Sequence, residues 1–172
     1  MVAEQEKVIE AVKQEIDLMA KFNHPNVMRI SRATQQHCYF FVFVEWMPGC
    51  SVAYLLDKHG AFSESVITNY TEHVLRGLAY LHDNHTIHRD LKGANLLVDS
   101  SGQRVRIADF GAAAKLATRM TGAGEFEGQL HGTIAFMAPE VLRGQSYGRS
   151  CDIWSAGCVV IEMVTTKPRG SR

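Results

Sequence analysis

Apolar residues recur at helical spacing at the start of the chain: Val8, Val12, Ile16 and Met19, with Glu and Lys on the other faces. The pattern predicts a helix from about Glu4 to Phe22 that stops before Asn23-His24-Pro25-Asn26. Val27 to Ile30 then reads as a short strand. Cys38 to Trp46 reads as a longer one, rich in aromatic and β-branched residues and broken by Met47-Pro48-Gly49-Cys50. Ser51 is placed to cap a short helix ended by Gly60. Ser63 is placed to cap a longer helix, whose stripe Val66, Tyr70, Val74, Leu78 and Leu81 predicts a buried face. Leu96-Leu97-Val98, a Ser100-Ser101-Gly102 turn, and Val105 and Ile107 alternating with Arg104 and Arg106 form a β-hairpin by pattern. The stretch after Gly111, rich in Gly, Ala, Thr and Glu, predicts a mobile loop. Pro139 opens a short helix. Asp152 to Thr165 is apolar nearly all round, through Ile153, Trp154, Val159, Val160, Ile161 and Met163, and predicts a buried helix.

Composition changes this picture little. The 172 residues are 46% hydrophobic and 21% charged, the profile of one globular domain with a real core. Lys+Arg and Asp+Glu are 18 each, so no basic surface for nucleic acid or anionic lipid is indicated. Cys38, Cys50, Cys151 and Cys158 lack metal-binding spacing and read as reduced, structural thiols of the cytosol or nucleus rather than a disulfide or zinc site. The eight histidines show no ligand pattern; His82 and His85 read as solvated or packed residues at a helix end. Met1-Val2-Ala3-Glu4 carries no signal-peptide or myristoylation pattern, and the longest apolar run, Cys38 to Val44, is too short to span a bilayer.

The candidate chemistry is concentrated in Ile87 to Gly111. Asp90 is followed by Lys92 and Asn95, and the hairpin folds the chain back so that Asp109 comes near them. Three oxygen-bearing side chains and one ammonium then converge on a small space. Mg²⁺ prefers such hard oxygen ligands and is commonly shared between one or two carboxylates and substrate phosphates.

His88-Arg89-Asp90-Leu91-Lys92-Gly93-Ala94-Asn95 resembles the catalytic loop of a protein kinase. Asp109-Phe110-Gly111 resembles its magnesium-binding triplet, and Ala138-Pro139-Glu140 the close of its activation segment. One such triplet arises by chance; three in order at kinase spacing do not. Ile107 to Ala114, Gly122 to Gly128 and Gly132-Thr133-Ile134-Ala135-Phe136-Met137 are similar to the MAP kinase kinase kinases of the MEK-kinase group, and the resemblance covers nearly the whole chain.

The resemblance implies an α+β, protein-kinase-like fold in which residues 1–47 are a remnant of the small lobe and hinge. Residues 48–172 would be a mainly helical large lobe lacking its last helices. It implies ATP and Mg²⁺ as cofactors. Asp90 would orient the substrate hydroxyl and accept its proton, and Lys92 would contact the γ-phosphate. Asn95 and Asp109 would ligate Mg²⁺. The backbone at Glu45 and Met47 would bind adenine, with Val44 behind it and Leu97 beneath it. His88 and Phe110 would pack in a spine with Met19 and Ile30 above, and Asp152 would hold the catalytic-loop backbone near His88. Glu15 is either a solvated helix carboxylate, as its pattern reads, or the family's partner of a strand lysine. Arg89 serves either a structural ion pair or a phosphate on the activation loop, where Thr121 is the expected phosphorylation site. Thr133 would hydrogen-bond into the catalytic loop, and Glu140 would await an arginine. Lys92 and Thr133 together point to serine/threonine substrates, here a MAP kinase kinase.

No G-x-G-x-x-G or V-A-I-K pattern occurs in the sequence, and Arg169-Gly170-Ser171-Arg172 departs from the family's continuation. The chain is therefore expected to be an internal piece of a kinase that, at this exact length, folds poorly and transfers little phosphate. The alternative function is a catalytically silent binding or decoy module.

Overall fold

The computed structural model describes residues 13, 16, 19–36, 39–115 and 132–167. Lys13, Ile16 and Met19 are helical, as the leading periodicity predicts; Glu15 lies outside the described residues. The expected strand at Val27 does not form there. Val27 makes an isolated parallel bridge to Ile107, and strand β1 begins at Ile30 (Ile30–Gln36). The segment before β1 is taken up instead by the β-hairpin of the larger half. Met28 N donates to Ile107 O (2.8 Å), Ile107 N to Asn26 O (2.9 Å), and the buried Asn26 amide to Val105 O (3.1 Å).

Strand β2 (Tyr39–Val44) pairs antiparallel with β1 from Gln36↔Tyr39 to Ile30↔Val44. Its side chains do not alternate between covered and open faces. Tyr39, Phe41, Val42, Phe43 and Val44 are all exposed, because among the described residues the two-stranded sheet has no layer covering either side. Val44, expected at the back of a pocket, is 52% exposed.

The larger half follows the sequence closely. Helix α1 (Val52–His59) starts where Ser51 Oγ accepts from Tyr54 N (3.2 Å) and stops at Gly60, whose φ of 80° suits a residue without a side chain. Helix α2 (Glu64–Asp83) buries Tyr70, Val74, Gly77, Leu78 and Leu81, with Val66 half-buried. Ser63 sits at its N-cap without a side-chain capping bond, since its hydroxyl pairs with that of Ser65 (3.0 Å). Strand β3 (Thr86–Ile87) leads into the catalytic-loop motif. A 3₁₀ turn, Gly93–Asn95, leads into the hairpin of β4 (Leu96–Val98) and β5 (Val105–Ile107), paired Leu96↔Ile107 to Val98↔Val105. Strand β6 (Ala114–Lys115) pairs back with β3. A second 3₁₀ turn (Ile134–Phe136) precedes helices α3 (Pro139–Leu142) and α4 (Ser150–Thr165).

A main core joins α1, α2, the β4–β5 hairpin and α4, and a smaller cluster of Ile87, Met137, Ala138, Val141, Tyr147 and Cys151 packs β3 and α3 against the start of α4. Leu78 and Leu81 of α2, Leu91 and Leu96, Ile107 of β5, and Val159 and Met163 of α4 are packed together and closed to solvent. Helix α4 is not buried all round as its composition predicts. Ile153, Ile161 and Val164 are exposed, and Val160 is half-buried, because α2 and the catalytic loop cover only one side among the described residues. No helix among them is long and apolar enough to cross a membrane.

This asymmetry gives a measurable contrast. Leu81→Ala, at a fully buried site, should lower unfolding free energy by about 2–5 kcal/mol. Ile161→Ser, at a position 43% exposed, should change it by less than about 0.5 kcal/mol. Urea denaturation of both variants checks this; equal losses would mean that the outer face of α4 is covered.

Candidate active site

The site is hung from the first turn of α4. Asp152 is 0% exposed, and its carboxylate accepts three N–H hydrogen bonds besides a long one from the Cys151 thiol to Oδ1 (3.9 Å). Oδ2 takes the His88 N–H (2.9 Å) and the His82 ring Nε2–H (2.8 Å), and Oδ1 takes the Arg89 N–H (2.9 Å). Burial works against the Asp152 charge. The His82 hydrogen bond and the backbone donors outweigh it, so the carboxyl is held below the usual range. Asp152 is thus placed where the resemblance puts it. His82, set down above as a solvated or packed histidine, is instead its third partner; the sequence offers no spacing signal that links residues so far apart.

His88 is fully buried. Its Nε2 donates to Ala108 O (3.1 Å) and its Nδ1 accepts a long bond from Asp90 N (3.4 Å). Burial, only partly countered by Asp152, holds this imidazole below its ordinary pKa and so neutral. The ring of His88 meets Phe110 edge-on at 5.2 Å. Phe110 also packs on Phe22 at 5.8 Å, an aromatic neighbour missed from the sequence; Met19 packs against the same core and Ile30 is buried. Arg89 adopts φ 66° and sends its guanidinium to the carbonyls of Ala112 and Ala113, just past the Asp109-Phe110-Gly111 triplet.

Asp90, Lys92, Asn95 and Thr133 meet directly. Lys92 Nζ donates to Asp90 Oδ2 (2.7 Å) and to Thr133 Oγ1 (2.9 Å), and Thr133 Oγ1 donates to Asp90 Oδ1 (2.8 Å). Asn95 Nδ2 donates to Asp90 O (2.8 Å) and to Asp90 Oδ2 (3.2 Å). Both neighbours of that amide nitrogen are acceptors, so the amide oxygen is turned the other way. Thr133 reaches the loop because Gly132 precedes it. At φ 106°, Gly132 lies against the Arg89 carbonyl, and a Cβ there would overlap that oxygen. Burial raises the Asp90 pKa, but the Lys92 ammonium and Thr133 hydroxyl lower it further, so the carboxyl stays below its ordinary value.

Asp109, the remaining acidic candidate, is exposed and has φ 62°, in the left-handed region that side-chain-bearing residues rarely adopt. Among the described residues its carboxylate accepts one weak bond, from Gly111 N (3.4 Å). Its charge is thereby left available at the surface of the site.

At the other wall, Gly49 N donates to Val98 O (3.1 Å) and Val98 N to Cys50 O (2.8 Å), so the break after β2 is stitched to β4. Cys50, where the resemblance would put a second glycine, adopts a positive φ of 63°. The Glu45 carboxylate pairs with the Arg106 guanidinium, Met47 is buried, Trp46 is 84% exposed, and half-buried Leu97 bridges to Ser51. Glu140 borders an apolar groove with Ile153, Trp154 and Ile161, and no salt bridge to it is formed among the described residues. Thr121 lies outside the described residues.

The sequence matches the protein kinase domain family over residues 1–171. Among curated proteins it is 66% identical over 166 residues to mitogen-activated protein kinase kinase kinase 1 of Rattus norvegicus and to that of Homo sapiens, covering 96% of this chain and 11% of each relative. It is 42% identical over 161 residues to mitogen-activated protein kinase kinase kinase A of Dictyostelium discoideum, covering 94% of this chain and 17% of that protein. The chain thus spans only a small part of the relatives it matches.

The Asp90 cluster makes a pH prediction. Asp90 is more acidic folded than unfolded, so its contribution to stability is present above the unfolded carboxylate pKa and lost as pH falls through the lowered folded value. Thr133→Val removes one hydroxyl donor and should raise the Asp90 pKa, moving that loss to higher pH. Carboxyl titration followed by NMR reads it; an unchanged or lower Asp90 pKa would show that the hydroxyl does not hold the charge.

Proposed function

Because the chain belongs to the protein kinase family, we propose that it carries the catalytic centre of a serine/threonine kinase that moves the ATP γ-phosphate to a MAP kinase kinase. The observation that carries this is the fourfold contact of Asp90 with Lys92, Asn95 and Thr133, together with an exposed Asp109 carboxylate that among the described residues accepts one weak bond. Phosphoryl transfer asks a protein for positioning and charge stabilisation more than for covalent chemistry.

The donor set fits Mg²⁺. Among the described residues no three His, Cys, Asp or Glu side chains gather as a metal cage. That suits an ion held by one carboxylate, one amide oxygen and substrate phosphates. Among the described residues Asp109 carries one weak hydrogen bond, and Asn95, with its amide nitrogen spent on Asp90, presents its oxygen. Bound there with ATP, Mg²⁺ would neutralise the phosphate charge.

Asp90 is anchored on both carboxylate oxygens, which fixes where it can accept the proton of an incoming hydroxyl. Lys92 stands on it as a compact positive charge able to turn toward a phosphate. Thr133 ties the segment before Ala138-Pro139-Glu140 to this base, so the surface that receives the substrate and the base move together. For adenine, the reading uses the backbone at Glu45 and Met47, beside Leu97. Serine/threonine specificity follows from Lys92 and Thr133, and the substrate class from the relatives' names. Phosphate at Thr121 and a cytoplasmic setting complete the reading.

In a catalytic domain containing these residues, Asp90→Asn should cut turnover on a MAP kinase kinase by roughly 10²–10⁴-fold while ATP affinity stays nearly the same. Turnover equal to wild type would remove Asp90 as the base. A matching loss of ATP affinity would place it on the nucleotide instead.

A further inference from the structure

Helix α4 contributes a second carboxylate to the catalytic loop. Glu162 is 7% exposed, and its Oε2 accepts the backbone N–H of Gly93 at 2.9 Å. Among the described residues that N–H is the partner its carboxylate has. Gly93 opens the 3₁₀ turn Gly93–Asn95, in which Asn95 N donates to Lys92 O (3.0 Å). The Asn95 carbonyl then accepts from Ala108 N (2.8 Å), while its side chain holds Asp90. The carboxylate thus grips the loop at the residue after Lys92, the first of the turn that presents Asn95.

The fit is tight. A Cβ on Gly93 would lie 2.6 Å from Glu162 Oε2 and 2.9 Å from its Cδ, closer than carbon and oxygen atoms pack. The contact therefore needs a glycine at 93 and a carboxylate or its amide at 162. Burying a carboxylate for one hydrogen bond is a poor way to gain stability. Desolvation accordingly pushes the Glu162 pKa up, with the Gly93 N–H only partly countering it. A side chain retained at that cost is explained by what it positions.

We propose that Glu162 is a positioning residue for phosphoryl transfer: with Asp152 it suspends the catalytic loop from α4 at two points, and its hydrogen bond to Gly93 sets where Lys92 and Asn95 stand. Asp152 fixes the loop before Asp90 and Glu162 fixes it after Lys92, so the reacting side chains lie on a span clamped at both ends by one helix. The inference rests on the kinase reading above.

The test compares Glu162→Met, Glu162→Gln and Gly93→Ala in a catalytic domain containing these residues. Glu162→Met removes a buried charge and keeps the volume, so the thermal midpoint should hold or rise. Its kcat should fall roughly tenfold to a hundredfold, with the KM for ATP little changed. Glu162→Gln keeps a carbonyl acceptor and should recover most of that turnover. Gly93→Ala, altering the other partner, should reproduce the kcat loss. Wild-type kcat in Glu162→Met, or no recovery in Glu162→Gln, overturns the proposal. Should Glu162→Met not fold, wild-type turnover in Gly93→Ala overturns it alone. If the unsubstituted protein transfers no phosphate, the kinase reading fails first. The anchor is then judged by the Gly93 amide proton, whose downfield NMR shift should persist in Glu162→Gln and collapse in Glu162→Met. A shift the same in all three overturns it.

Discussion

A carboxylate closed off from water and gripping two successive backbone N–H groups is the constraint on which the site depends. Asp152 holds His88 and Arg89 in this way, with His82 as a third donor. Two consecutive amides can point at one acceptor pair only if the chain turns sharply, and Arg89 takes φ 66° to do so. That conformation costs free energy for a residue with a side chain, of order 1–3 kcal/mol. A charge-assisted hydrogen bond contributes about 1.5–3 kcal/mol, so the anchor can hold the turn. The turn in turn carries the Arg89 guanidinium toward Ala112 and Ala113 and leaves Asp90 facing Thr133.

The electrostatics of the site follow from unequal burial. His88 is sealed in and kept neutral, so it serves as a packing surface for Phe110 and a donor to Ala108. Asp90 is only partly enclosed and stays charged because Lys92 and Thr133 supply donors. Asp109 is exposed and lightly bonded. A base, a cation and an uncommitted carboxylate are thus kept distinct within one short stretch of chain. Phosphoryl transfer benefits from that separation, since a proton acceptor, a cation and a metal-binding carboxylate have different tasks.

Local signals were legible in the sequence, and contacts between distant segments were not. The Ser51 cap, the stripe of α2 and the β4–β5 hairpin each depend on spacing within a few residues, and each is found. The resemblance drew attention to Asp90, Asn95 and Asp152, which make the contacts described above, because family resemblance already encodes tertiary neighbours. Strand β1 begins later than expected because Asn26 and Met28 are drawn onto β5, a pairing that no local pattern reveals. Phe22, His82, Arg106 and Glu162 were missed for the same reason: each meets a partner far away in the chain. Helix α4 was read as buried all round because hydrophobicity reports what a face could bury, whereas exposure depends on what lies against it.

The β4–β5 hairpin explains how candidates for one ion come from separate motifs. Asn95 immediately precedes Leu96, and Asp109 lies two residues past Ile107; Leu96 and Ile107 are register partners. The pairing therefore brings the two positions to one end of the hairpin. At the other end the Asp99 carboxylate collects the N–H groups of Ser101 (3.2 Å), Gln103 (3.2 Å) and Arg104 (3.3 Å), and Gly102 takes φ 69° to close the turn. The turn fixes the register, since a slip of one residue would also carry Val98, Val105 and Ile107 from the core to the opposite face. Both edges are held as well, β4 by Gly49 and Cys50 and β5 by Asn26 and Met28. A short turn some distance from the chemistry thereby sets the relative placement of Asn95 and Asp109, while α4 fixes the loop that carries Asp90. Two rigid elements, each secured by a buried or multiply bonded carboxylate, determine the geometry of the site before any nucleotide arrives.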